Sequence, residues 1–377
     1  MKIAFVYDVI YPYIKGGVEK RVWELAVRLS HRGHEVHLFG MKFWQGEDIL
    51  IRDGVFLHGV CPAQKLYGGG RRTIWQAFYF SIRLIPPLLK ENFDIIDCQQ
   101  FPYFSCFSAR LLSILKKIPL VITWHEIWGD YWYEYIGWKG FGGKTTERLV
   151  ARLTSENIAV SKTTAKNLIN LGIPYEIKII PNGVDIKNIR SISPACEPSD
   201  IIFAGRLIRE KHVDVLIQAF NILLPEHKDC ILMIIGDGPE RNTVSDLIKN
   251  LHLEDRVRFI GFRECHDEII AHMKSSKICV LPSTREGFGI TALESLACGL
   301  PVVTVDHPAN AIRDLITGSN GFLCPLSAED LAKTICLGLR HYAGMQNACI
   351  MSADPFDWDR ITSDIESYYR SVIASKK

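Results

Sequence analysis

The chain has 377 residues, too many for one typical core and enough for two ordinary domains. With 47% hydrophobic and 23% charged residues it has the profile of a soluble globular protein. The net charge of +2 is unevenly spread: 23 Lys/Arg against 16 Asp/Glu run to Ile180, and 21 against 26 follow. A basic first half suits an anionic partner such as a lipid head group or a phosphate-bearing acceptor. An uneven but ordinary surface accounts for it as well, and no nucleic-acid partner is expected. The eleven cysteines show no CxxC pair and no metal-like Cys/His spacing. Cys98, Cys230 and Cys279 sit in apolar runs as small core residues, which suits a reducing cytosol. The chain opens on a strand-like run, so no signal peptide is expected. No uncharged apolar stretch of about 20 residues occurs. The nearest, Phe101 to Trp124, is broken by Arg110, Lys116, Lys117 and two prolines. A cytoplasmic protein is expected, at most peripheral to the inner face of a membrane.

Lys2 to Tyr7 reads as a short strand, followed by Gly16-Gly17 and a helix through Arg32 with Val18, Val22, Leu25, Ala26 and Leu29 on one face. Gly33 ends that helix, and Glu35 to Phe39 is the next strand. Asp94–Asp97, Leu120–Thr123, Asn157–Val160 and Ile177–Ile180 continue the pattern, with helix between. Alternating β and α at these spacings predicts a parallel sheet covered on both faces. Pro181 to Asp185 is a turn cluster, followed by a Ser/Pro-containing stretch to Asp200, and the domain boundary belongs there. The alternation then restarts. Strands are expected at 201–205, 231–235, 256–260, 278–281, 301–304 and 321–323, with helices at 213–224, 246–251 and 290–297. A last helix follows Asp354-Pro355-Phe356-Asp357-Trp358-Asp359 and carries Ile361, Ile365 and Tyr369 on one stripe. The fold class is therefore α/β, with two Rossmann-like domains at 1–185 and 186–355 and a terminal segment at 356–377.

Two motifs carry chemistry. Glu286-Gly287-Phe288-Gly289-Ile290 follows a strand and opens a helix that holds Glu294 one turn inside. Glycines let backbone N–H groups approach an anion, and the helix points its positive end at the same place. A carboxylate at Glu294 can accept from two adjacent hydroxyls, as on a ribose. Gly205-Arg206-Leu207 with Glu210-Lys211 sits where the second domain's first strand turns into helix. One planar and one compact cation there can meet a diphosphate. Alone, each motif is also compatible with an acidic helix start or a solvated basic loop. Both fall on neighbouring strand ends, where ligands of such sheets sit.

Together with Gly16-Gly17-Val18-Glu19, Ala159-Val160-Ser161-Lys162, Ile180 to Asp185 and Gly236-Asp237-Gly238-Pro239, these motifs resemble the family 4 glycosyltransferases of the GT-B fold. The resemblance spans nearly the whole chain and includes the family's seven-residue gap between Glu286 and Glu294. It implies two domains facing each other across a cleft, with the C-terminal helix returning to the first. It implies that Arg206 and Lys211 bind a donor diphosphate and that Glu294 binds the ribose. Glu286 would contact the donor sugar near its reacting end. Gly16 and Gly17 would approach the donor from the first domain, Gly261-Phe262 would border the nucleobase, and Gly287 to Ile290 would line the phosphate. His125, in Thr123-Trp124-His125-Glu126, matches the active-site histidine; a packed histidine at a strand end is the other reading.

The implied reaction is retaining transfer of a hexose-type sugar from a nucleotide diphosphate sugar to a glycan or lipid-linked acceptor, as in polysaccharide or glycolipid biosynthesis. No cofactor or essential metal is expected. The only DxD, Asp357-Trp358-Asp359, reads as capping or surface charge, and Arg206, Lys211 and the helix end can supply fixed positive charge instead. Eight aromatics between Trp124 and Phe141, including four of the eight tryptophans, suggest sugar stacking or a peripheral contact with an anionic membrane. An aromatic core cluster under a loop is the competing reading. The Tyr67 to Arg72 loop adds charge nearby. A nucleotide-sugar 2-epimerase of similar build and a non-catalytic nucleotide-sugar binder are the alternatives. A dehydrogenase is disfavoured because no GxGxxG follows the first strand.

Overall fold

The structure is a computed structural model that describes residues 1–68 and 71–376. It divides into two compact units, Met1–Asn182 joined by Trp358–Lys377, and Gly183–Asp357. The divisions thus fall at 182/183 and 357/358, against the expected 185/186 and 355/356. Gly69 and Gly70 of the Tyr67 to Arg72 loop lie outside the described residues.

In the first unit, β1 (Lys2–Val6), β2 (Glu35–Lys42), β3 (Ile49–Arg52) and β4 (Val55–Pro62) come first. A ribbon of β5 (Tyr67–Gly68) and β6 (Arg71–Arg72) follows, then β7 (Ile95–Gln99), β8 (Leu120–Trp124), β9 (Glu156–Ala159) and β10 (Ile177–Ile179). The sheet order is β10-β9-β8-β7-β1-β2-β4-β3. Every neighbour pairs in parallel except the β3–β4 edge, which is antiparallel. The expectation of a wholly parallel sheet is corrected there. Asp53-Gly54 joins β3 to β4 with both residues at positive φ, 49° and 79°, the backbone that lets a two-residue hairpin follow the strand twist.

The central strands read as continuous apolar runs because both faces are covered. On one face the Gly17–His31 helix buries Val22, Leu25, Ala26 and Leu29. The C-terminal Trp358–Lys376 helix joins the same core with Trp358, Ile361, Ile365, Tyr369 and Val372. The apolar stripe seen in the sequence therefore lands on the first unit. Polar contacts hold it there: Arg32 donates to Ser363 Oγ at 3.0 Å and to Glu366 at 3.2 Å, and the Tyr369 hydroxyl donates to Asp97. On the opposite face the Ile74–Lys90 and Phe104–Lys116 helices bury Phe80, Leu84, Leu88, Ala109 and Leu112.

The second unit is a six-stranded, wholly parallel sheet of β11 (Ser199–Ala204), β12 (Leu232–Ile235), β13 (Val257–Gly261), β14 (Ser276–Leu281), β15 (Val302–Val305) and β16 (Gly321–Cys324). Its order is β13-β12-β11-β14-β15-β16. The chain builds outward from β11 to β13, then crosses back to lay β14 on the other side of β11. The 26-residue Ala328–Ala353 helix, absent from the sequence reading, packs against the Val213–Leu223 and Ile290–Ala297 helices. Cys98, Cys230 and Cys279 are buried and unbridged, while Cys196 and Cys265 are exposed. No helix among the described residues is long and apolar enough to cross a membrane.

Candidate functional site

In an open parallel sheet, ligands gather beyond the carboxyl ends of the strands where the strand order reverses. In the second unit that point lies between β11 and β14. The turn after β11 carries Arg206 and a short 3₁₀ turn, Arg209–Lys211. The loop after β14 carries Glu286 to Gly289 and runs into the Ile290–Ala297 helix. Because β11 and β14 pair directly, both motifs share one rim. Gly236, after β12, closes against the first of these turns. Its φ is +146°, and a Cβ there would lie 1.8 Å from the Gly205 carbonyl oxygen, so only glycine fits.

The two loops are laced together. The Lys211 ammonium pairs with the Glu286 carboxylate. Ser283 Oγ donates to that carboxylate at 3.2 Å, and the Thr284 N–H donates to the Glu210 carbonyl at 3.0 Å. His212 and the Thr284 hydroxyl meet at 2.9 Å. Glu286 is further fixed by its backbone, which gives a hydrogen bond to the Ala309 carbonyl at 3.0 Å and accepts one from the Ala311 N–H at 2.9 Å. Sequence spacing left Lys211 and Glu286 as separate features; the fold brings them into one ion pair.

Gly289 caps the Ile290–Ala297 helix in the left-handed region, with φ +93°, and a Cβ would meet Ile312 Cγ1 at 2.4 Å. The glycine therefore sets the sharp entry that leaves the first-turn N–H groups and the positive helix end facing the rim. Glu294, one turn in, is buried, and its carboxylate pairs with His266 Nε2 at 2.8 Å. His266 opens the His266–Lys274 helix and was missed in the sequence, because a lone His-Asp-Glu run gives no sign of a partner 28 residues away. Phe288 is buried, with its ring 6.0 Å from that of Phe356. Gly261 ends β13 at φ +80° and Phe262 beyond it is 55% exposed, presenting an open aromatic face at the same end of the sheet.

In the first unit, His125 lies just past β8 and is buried. Its Nε2 lies 2.8 Å from Gln99 Oε1, and its backbone N–H donates to Gln100 Oε1 at 3.0 Å. Burial, with the Arg21 charge nearby, holds its pKa well below the usual histidine value, so the ring is neutral. An amide oxygen accepts only, so Nε2 bears the proton and Nδ1 is left as the acceptor. Beneath it lies a network invisible at the level of motifs. Asp97 accepts from Thr123 Oγ1 at 2.8 Å, from Gln99 at 3.0 Å and from Tyr369. Arg21, fully buried, donates to the Ile180 and Pro181 carbonyls and to Asn182 Oδ1. The Ile-Pro-Asn turn thus serves as the seat for a buried guanidinium. Arg21, Gln99 and Gln100 escaped the sequence reading because a polar residue in an amphipathic helix or at a strand end looks solvent-facing until its partners are known.

Gly16 precedes the Gly17–His31 helix in extended conformation. A Cβ there would meet the end of the Glu19 side chain, 2.4 Å from Oε2, which would have to swing aside. Burial raises the Glu19 pKa to about 7. The aromatic segment divides in two. Trp124 and Trp132 are buried core residues, which overturns the expectation for that part of the cluster, whereas Trp138 and Phe141 are open to solvent. The DxD does not form one acidic site. Asp357 pairs by its backbone with Val184 in the second unit, and Asp359 accepts from Arg28 at 3.2 Å in the first.

Comparison with known proteins agrees with this layout. Residues 15–188 match the Glycosyltransferase Family 4 model and residues 185–350 the model of glycosyl transferases group 1. N-acetyl-alpha-D-glucosaminyl L-malate synthase of Bacillus anthracis is 26% identical, over 97% of both chains. The phosphatidylinositol N-acetylglucosaminyltransferase gpi3 subunit of Schizosaccharomyces pombe is 25% identical over 89% of this chain and 72% of its own. Among solved structures, Anabaena HepE in complex with UDP-glucose superposes with a TM-score of 0.75 at 21% identity, covering 98% of this chain and all of that one. Two α/β units with mainly parallel sheets and two adjoining family matches that run from residue 15 to 350 identify the chain as an enzyme, a glycosyltransferase of family 4.

Proposed function

We propose that this enzyme transfers a hexose-type sugar from a nucleotide diphosphate sugar to a lipid-linked or glycan acceptor, with retention of configuration and without an essential metal. What supports this reading is the rim between β11 and β14, whose first turn carries Arg206 and Lys211 and whose second loop carries Glu286 and opens the helix that holds Glu294. Departure of a nucleoside diphosphate builds negative charge on the bridging oxygen. Arg206, Lys211 and the first-turn N–H groups are preorganised to meet that charge. On donor binding, Lys211 exchanges its Glu286 partner for the diphosphate, which frees the Glu286 carboxylate for the sugar hydroxyls. Glu294, held by His266, accepts from the ribose hydroxyls, and the Phe262 ring borders the base. Retention follows from attack on the face the leaving group vacates, with its phosphate taking the acceptor proton. His125, neutral and with Nδ1 as acceptor, binds a donor-sugar hydroxyl rather than acting as the base.

Two relatives named for N-acetylglucosaminyl transfer and a structural neighbour holding UDP-glucose favour a UDP-sugar donor. The phosphatidylinositol in one relative's name favours a lipid-linked acceptor and a peripheral contact with an anionic membrane. A thermal-shift panel of UDP-, GDP- and ADP-sugars in EDTA tests the donor, because a ligand that binds the native state raises the melting temperature. A UDP-sugar alone is expected to stabilise the enzyme and to hydrolyse slowly. Formation of an epimer instead, or stabilisation only on adding a divalent metal, would overturn the proposal.

A further inference from the structure

Lys211 is bracketed by two residues that both hold Thr284. On one side the Glu210 carbonyl accepts from the Thr284 N–H at 3.0 Å. On the other, His212 Nε2 meets the Thr284 hydroxyl at 2.9 Å. Thr284 lies two residues before Glu286, whose backbone is bonded to Ala309 and Ala311. The backbone of His212 is the unexpected part. Its φ is +47° and its ψ +45°, in the left-handed region, and it stands at the N-cap of the Val213–Leu223 helix. That region is costly for a residue with a Cβ. An N-cap is ordinarily extended and bonds the first-turn N–H groups through its side chain; His212 makes no such bond. Among the described residues, the other non-glycine residues at positive φ are Asp53, Lys117 and His252. They stand in a hairpin or just past a helix C-terminus, where the turn itself calls for that backbone.

A side chain kept where its backbone disfavours it, at a functional rim, points to a use for that side chain. Here the use is reach: the ring crosses from the turn carrying Lys211 to the loop carrying Glu286. Partial burial lowers the His212 pKa, so at neutral pH the ring is uncharged and braces the rim without competing for an anion. When a diphosphate draws Lys211 away from Glu286, the ion pair no longer ties the two loops. The bond between Glu210 and Thr284 is by itself a hinge. With the His212 ring on the same threonine, Lys211 is held from both sides while it changes partner. Close placement of a cation is what a developing negative charge rewards.

We infer that His212 is a positioning residue for sugar transfer, clamping the two rim loops so that Lys211 keeps its place when it leaves Glu286. This rests on the reading of Lys211 as a diphosphate ligand. Three substitutions in the full chain separate the clamp from the fold. H212G frees the backbone and removes the ring, H212Q keeps a polar group at similar reach, and T284V removes the hydroxyl from the other side. In H212G, kcat is expected to fall about tenfold while KM for the donor changes about twofold or less. Amide exchange at Thr284 is expected to quicken about fivefold. Melting temperature is expected to hold, because relief of the left-handed backbone offsets the lost hydrogen bond. H212Q is expected to recover most of the turnover, and T284V to lose as much as H212G. The H212G/T284V double variant should be no slower than either single one, since both remove the same contact. Unchanged kcat in H212G, a melting temperature that falls in step with kcat, or losses that multiply in the double variant would each overturn the assignment of His212 while leaving the donor reading intact. A wild type that UDP-sugars do not stabilise would overturn the donor reading, and this assignment with it.

Discussion

The carboxyl ends of the two sheets are built on opposite electrostatic plans. In the second unit polar groups pair across the rim, Lys211 with Glu286 as an ion pair and His266 with Glu294 by a hydrogen bond. In the first unit the corresponding strand ends are buried, and His125 is held neutral over a network of Gln99, Asp97, Thr123 and Tyr369. A partly exposed ion pair such as Lys211–Glu286 can trade partners when an anion arrives. A buried network cannot, because an uncompensated charge there costs several kcal/mol. The contrast teaches that the second unit is suited to capture charge and the first to hold geometry.

The largest effect that would break this comparison lies at the rim. Arg206→Ala and Lys211→Ala are each expected to lower kcat/KM by about 10²–10³ in steady-state assays and to weaken binding of the nucleoside diphosphate itself, with melting temperature little changed. A loss confined to melting temperature would place these residues in the scaffold instead. Next, Asp97→Asn removes the charge that faces Arg21 and accepts from Tyr369. Denaturant unfolding should show a stability loss of about 1–3 kcal/mol, accompanied by lower turnover because His125 loses its support. The rim should still bind nucleotide in this variant. His266→Ala should loosen Glu294 and raise KM for the donor by about tenfold with a smaller change in kcat, sharpening the assignment of the ribose position.

The smallest expected effect concerns pH. The folded-state pKa of Glu19, about 7, lies above its ordinary 4.5, so the native state holds this proton more tightly than the unfolded chain does. The resulting stability is fully present below about pH 4.5 and is lost as pH rises through 7. Melting curves of Glu19→Gln should therefore gain on the wild type between pH 5 and pH 8. His125 contributes in the opposite sense, since its depressed pKa favours folding above pH 6.5. A constant gap between Glu19→Gln and wild type across that range would show that Glu19 is charged throughout.

Much of the fold was readable in advance because parallel strands buried on both faces appear as unbroken apolar runs and their helices show a 3.6-residue stripe. The Ile290–Ala297 helix and the stripe of Ile361, Ile365 and Tyr369 were legible for that reason. The β3–β4 edge is marked in the sequence only by Asp53-Gly54, because Ile49–Arg52 is a four-residue, mostly exposed strand whose apolar residues show no in–out alternation. The Ile74–Lys90 helix was hidden by Pro86 and Pro87, which ordinarily end helices, and by apolar residues on both its sides.

The sequence by itself determined the α/β alternation and the placing of Arg206, Lys211, Glu286 and Glu294 in or just after strand-to-helix turns, because these are local in the chain. Only the tertiary structure decided partners: that Lys211 meets Glu286 across 75 residues, that Tyr369 reaches Asp97 across 272, and that Trp124 is core while Trp75 faces outward. Periodicity records which residues share a face of one element. Which face meets another element, and which is left to solvent, is settled by how the elements pack.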